Sequence, residues 1–69
     1  MVIPLTFEGV YFTASRMFDR DSNGSVTARR FAWHLPNGDA YLTLVLVTGN
    51  LRVQGNKENK EKLEHCGLS

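Results

Sequence analysis

Two Asn-Gly pairs constrain this chain more than any other feature. They lie in Asp21-Ser22-Asn23-Gly24 and Leu35-Pro36-Asn37-Gly38, each between stretches rich in β-branched, aromatic and hydroxyl residues. Asn and Gly both tolerate positive φ, so such a pair marks a tight hairpin. Two in succession predict an antiparallel meander, with strands expected at 10–20, 25–35 and 39–48. Thr48-Gly49-Asn50 is a further turn, and 51–53 reads as a short last strand.

Residues 1–8 carry Val2, Ile3, Leu5 and Phe7 around Pro4. Proline cannot donate to an interior ladder, so this segment reads as an edge strand, with Gly9 as a bend or bulge. Residues 57–66 are the one good helix candidate, with Asn56 placed to cap it. Lys57–Glu61, Glu58–Lys62 and Lys60–Glu64 are (i, i+4) pairs, each worth a few tenths of a kcal/mol. Gly67 suits the left-handed position after the last turn, with Leu68 folding back. Only Leu63 and Cys66 form an apolar stripe, and so short a helix is marginal alone. It is expected to dock weakly or fray. The fold class is therefore mainly β, a β-rich α+β chain. It is an antiparallel meander of three to five strands, as an open sheet or a small curled barrel, with one short C-terminal helix. The 69 residues make one small domain, with 1–54 as the meander and 56–66 as the helix.

Side chains alternate across a strand, so hairpin register decides which face is buried. If both Asn-Gly pairs are two-residue turns, Arg16 opposes Phe31, Ala14 opposes Trp33 and Phe12 opposes Leu35. Beyond the second turn, Trp33 meets Leu42 and Phe31 meets Leu44. One face then carries Phe12, Phe18, Phe31, Trp33, Leu35, Leu42, Leu44 and Leu46 as a core. The other carries Thr13, Ser15, Met17, Arg30, His34, Tyr41, Thr43, Val45 and Val47. A three-residue loop with a glycine bulge is the competing geometry, and Pro36 favours it at the second hairpin. It would set Arg16 against Arg30 and expose a different aromatic set. Burying the aromatic residues is worth several kcal/mol, which favours the first register.

Composition excludes more than it assigns. Formal net charge is +1, which gives no global pull toward nucleic acid. A single cysteine makes no internal disulfide, and no charged-then-apolar leader opens the chain. The apolar-rich run at 41–47 is too short to span a bilayer. A reducing, cytoplasmic setting without membrane attachment is the expectation. Self-association would be an ordinary way for so small a core to gain burial. The same run would template pairing with another chain if it lay at a sheet edge.

Asp19-Arg20-Asp21-Ser22-Asn23-Gly24-Ser25-Val26 resembles the first eight positions of an EF-hand calcium loop, with oxygens at positions one, three and five and glycine at six. That resemblance would make Asp19, Asp21 and Asn23 ligands. The position for the bidentate glutamate is Arg30, and the flanks read as strands, so turn chemistry accounts for these residues and no metal site is assigned. His65 and Cys66 are adjacent, about 100° apart on a helix, and form no nucleophile–base pair. No phosphate-binding glycine loop, nucleophile elbow or paired carboxylate in a cleft is present. No catalytic residue and no cofactor are expected.

These observations point to a small non-enzymatic interaction protein, of the inhibitor, adaptor or accessory type. It would bind a macromolecular partner, most simply another protein, through a sheet face or edge. The expected contact residues are Thr13, Ser15, Arg30, His34, Tyr41 and Thr43. The alternative is a single-stranded nucleic-acid-binding β module that holds phosphates and stacks bases. Its residues would be Arg16, Arg29, Arg30, Trp33 and Tyr41, with His34 beside them.

Overall fold

The computed structural model describes residues 5–67. Val2, Ile3 and Pro4 of the expected first strand, and the fold-back of Leu68, lie outside them. Six strands and one helix follow in order: β1 (Leu5–Phe7), β2 (Val10–Phe12), β3 (Ser15–Arg20), β4 (Val26–Leu35), β5 (Gly38–Val45), β6 (Asn50–Gln54) and α1 (Lys57–Gly67). β3 to β6 form an open antiparallel meander in chain order, and β1 and β2 form a separate two-stranded sheet. The expected 10–20 strand is thus two strands. Glu8 (φ 50°) and Gly9 (φ 80°) both take positive φ. That is the requirement of a tight two-residue hairpin turn, so the first segment doubles back onto 10–12 instead of running on as an edge.

Both hairpins of the meander depart from the simple Asn-Gly reading, yet the faces come out as expected. At the first, the Asp21 N–H donates to the Ser25 carbonyl at 3.0 Å and the Gly24 N–H to the Asp21 carbonyl at 3.0 Å. That is a three-residue loop closed by Gly24 at φ 82°. It shifts pairing by one residue, and a bulge reverses the shift: Arg20 opposes Val26, but Asp19 opposes Ala28, leaving Thr27 extra. From there Arg16 faces Phe31. At the second hairpin Leu35 pairs with Gly38, so the loop is Pro36-Asn37. Phe31 therefore meets Leu42 and Trp33 meets Ala40. This is a slip of two residues from the expected partners, and a slip of two keeps each side chain on its face.

The core is a proximal one. Leu5, Trp33, Leu35, Ala40, Leu42 and Leu63 are buried together, with Phe7, Phe12, Ala14, Phe31 and Val53 packed against them. Trp33 is fully buried, at 0% exposure. Each leucine sealed in this layer contributes about 1.5–3 kcal/mol. Helix α1 contacts β1, β5 and β6, while β2 contacts β4. Three expected core members are not in it: Leu44 is half-buried outside the cluster, Phe18 remains 55% exposed and Leu46 40%. Their side of the sheet lies beyond the reach of the cover. Eleven helical residues span about 16 Å, whereas the ten of β4 span about 33 Å.

Helix α1 is anchored more firmly than its thin apolar stripe suggests. Asn56 Oδ1 accepts the Asn59 N–H at 2.9 Å, which caps the first turn. The Asn56 side chain also donates to the Asn37 carbonyl at 3.1 Å, and Asn59 Nδ2 donates to the Gly38 carbonyl at 3.1 Å. Asn37 Nδ2 in turn donates to Glu58 Oε2 at 3.1 Å. Lys62 Nζ reaches the Thr6 carbonyl at 3.0 Å and lies 5.2 Å from the centre of the Phe7 ring. The helix start is therefore bolted to the β4–β5 turn, and its middle to β1.

Candidate functional site

The four-stranded sheet presents two surfaces. On the first, cross-strand pairing sets Ser15, Met17 and Asp19 beside Ala32, Arg30 and Ala28, and those beside Tyr41, Thr43 and Val45. This is the face expected to hold the contact residues. Arg30 is half-buried, with Nη2 3.1 Å from Asp19 Oδ2 and Nε donating to Thr43 Oγ1 at 3.3 Å. Thr43 itself is only 4% exposed, so it offers no contact surface. At the helix end, His34 Nδ1 lies 3.0 Å from Asp39 Oδ1, and the Tyr41 hydroxyl donates to Asp39 Oδ2 at 3.2 Å. The hydrogen bond from His34 holds Asp39 below its ordinary value, with the Tyr41 hydroxyl adding to the effect. The same bond to Asp39, and the carboxylate's charge, raise Tyr41.

Four of the six expected contact residues, Arg30, Thr43, His34 and Tyr41, thus fall into two short networks, Asp19–Arg30–Thr43 and His34–Asp39–Tyr41. Ser15 stands exposed on β3, and Thr13 lies exposed in the segment between β2 and β3. Met17, Arg30, Tyr41, Gln54 and Gly55 line an open depression of about 530 Å³ between the networks. Two carboxylates join these networks: Asp19, which stands out in the sequence only within the calcium-loop-like turn, and Asp39, which does not stand out there. The register carried the signal, because Asp39 opposes His34 and Asp19 stands two residues beyond Met17 on the same face.

The turn that resembles a calcium loop is occupied by its own backbone. Asp21 Oδ1 accepts the N–H groups of Asn23 at 2.9 Å and Ser25 at 3.0 Å. Among the described residues, no group of three or more His, Cys, Asp or Glu side chains could hold a metal ion. No helix among them is long and apolar enough to cross a membrane.

The second surface is the outer continuation of the Trp33 face. Directly paired residues share a face. One row runs Arg16, Phe31, Leu42 and Val53 across β3 to β6; the next runs Phe18, Arg29, Leu44 and Leu51. The first row is the border of the core, and Phe31 still packs against it, its ring centre 6.4 Å from that of Trp33. The second row is largely uncovered: Phe18 is 55% exposed and Leu51 51%, Leu44 is half-buried, and Leu46 lies beyond them in the turn. Arg16 and Arg29 are exposed. Of the five residues expected to contact nucleic acid, these two share this surface; Trp33 is sealed, and Arg30 and Tyr41 lie on the opposite face. The run at 41–47 enters central strand β5, so the open edges are β3 and β6. No family model, curated protein or solved structure matches this chain.

Proposed function

We propose that this chain is a small non-enzymatic interaction protein that binds a protein partner through the uncovered outer half of its Trp33 face. One observation carries the reading. A single continuous sheet face is sealed at one end by α1 and the β1–β2 hairpin, and at the other exposes Phe18, Leu46 and Leu51. Large apolar side chains exposed together at one end of a sheet face, with arginine among them, are a mark of an interaction site. Phenylalanine and arginine are also the residue types that interface cores favour. The polar face fits less well, because its Arg30, His34 and Tyr41 already have intramolecular partners.

Site-specific photocrosslinking tests this directly. A photoreactive side chain is placed at position 18 or 51, and in separate variants at 15 or 41. Discrete adducts from 18 and 51 alone are expected in the native cell. Adducts confined to 15 and 41 would move the site to the opposite face. The nucleic-acid reading keeps one supporting observation, that Arg16 and Arg29 interleave with Phe31 and Phe18. Oligonucleotide binding that depends on those four residues would favour it.

A further inference from the structure

The chemistry of the bare surface says what kind of protein would fit it. Charge is segregated between the two faces of the meander. Both carboxylates of the four-stranded sheet, Asp19 and Asp39, lie on the polar face, where they meet Arg30 and His34. The two outer rows of the Trp33 face contain Arg16 and Arg29 and no acidic residue. Among the described residues neither guanidinium has a hydrogen-bond or ion-pair partner. Arg16 opposes Phe31, and Phe18 opposes Arg29, so each cation stands beside a phenyl ring. The two arginine Cα positions are one strand and two residues apart, about 8 Å by strand spacing. Between and beside them lie Phe18, Leu44 and Leu51.

We infer that the partner of this site is an acidic protein segment, an apolar ridge flanked by carboxylates that reach Arg16 and Arg29. The inference rests on the binding reading above. Charge complementarity selects this occupant over two others. A second copy docked face to face would bring arginine against arginine, with no carboxylate on either surface to relieve them, and like charges in contact oppose association. Single-stranded nucleic acid would satisfy the arginines and stack on Phe18. It would leave the aliphatic side chains of Leu44, Leu46 and Leu51 without a comparable use, since stacking is done by aromatic platforms. The net charge of +1 also supplies little long-range attraction to a polyanion. An apolar ridge with carboxylates uses every group on the surface. Arginine is suited to it, because its planar fork meets a carboxylate with two parallel hydrogen bonds.

The test is selection of a random-peptide display library on the full-length chain, followed by binding measurements on Phe18→Ser and the double variant Arg16→Glu/Arg29→Glu. A labelled oligo(dT) probe and sedimentation of the chain alone run beside it. All three substitutions are at exposed positions, and unchanged circular dichroism and Trp33 emission verify the fold. The expected result is peptides enriched in Asp and Glu around apolar residues, bound at least tenfold more weakly by each variant. Peptides that need Phe18 but carry no acidic bias and ignore the arginine changes would keep the site and overturn the acidic partner. Peptides indifferent to every variant would overturn both. Failure to select any peptide overturns the inference. Oligo(dT) binding that needs the arginines would then name nucleic acid as the occupant, and self-association lost in Phe18→Ser would name a second copy.

Discussion

Asn59→Asp probes the helix anchor with a change of one atom type. Asn59 is fully buried, at 0% exposure, and its Nδ2 donates to the Gly38 carbonyl at 3.1 Å. Its Oδ1 has no partner among the described residues. An aspartate of the same shape would set a carboxylate oxygen against that carbonyl in a dry site. The variant escapes this by holding a proton, which lets the acid donate to Gly38 as the amide did. Holding it at pH 7 against an ordinary value near 3.9 costs about 1.4 kcal/mol per unit, or roughly 4 kcal/mol. The protonated side chain carries no charge for the helix dipole to stabilise, so the expectation is a loss of about 4 kcal/mol at pH 7. The sign follows from a raised folded value: stability matches the parent below pH 4 and falls as pH rises. Urea unfolding of both proteins from pH 4 to 7.5 reads the difference. A loss under about 1 kcal/mol at pH 7, or one that does not change with pH, would show that Asn59 is not sealed against the β4–β5 turn.

Other expectations follow from particular contacts. Asn56→Ala removes the cap on Asn59 and the bond to Asn37, and should cost about 1–3 kcal/mol in thermal unfolding. Gly55→Ala forces a Cβ to 3.1 Å from the Asp39 carbonyl at φ +144°, so a loss of about 1–3 kcal/mol is expected. Asp39 is lowered by His34, so its contribution is present above the unfolded value and is lost as pH falls through the folded one. NMR titration should show the Asp39 carboxyl rising toward its ordinary value in His34→Ala, and Asp39→Asn should bring Tyr41 back down. Phe18→Ser should leave stability within about 0.5 kcal/mol of the parent, because the side chain is more than half exposed.

Much of this fold was legible because periodicity is robust to small errors in the loops. The loop at Asn23-Gly24 is one residue longer than the pair implies, but the bulge at Thr27 restores the alternation. The loop at Pro36-Asn37 displaces pairing by two, which changes neighbours and not faces. The burial of Trp33 and the opposite side of Tyr41 follow from alternation once the gain from burying the aromatic residues selects the register. What alternation cannot supply is how far a cover extends along a face. Phe18 and Trp33 share a side, yet the short helix and hairpin reach only one of them. The polar face illustrates the same gap. Arg30 and His34 stand out in the sequence, whereas their pairing with Asp19 and Asp39 depends on side-chain geometry across strands. The firm seat of α1 was hidden for another reason: it rests on Asn56 and Asn59, residues that read only as a cap and a polar surface position.

The division of one sheet face into a sealed half and an open half is tested most directly by tryptophan emission. The native chain, whose single tryptophan is Trp33, is compared with a variant that moves it outward, Trp33→Phe with Phe18→Trp. The native protein should emit in the blue and resist iodide, while the variant should emit toward the red and be quenched freely. Equal quenching of the two, or ready iodide access to Trp33, would contradict the account.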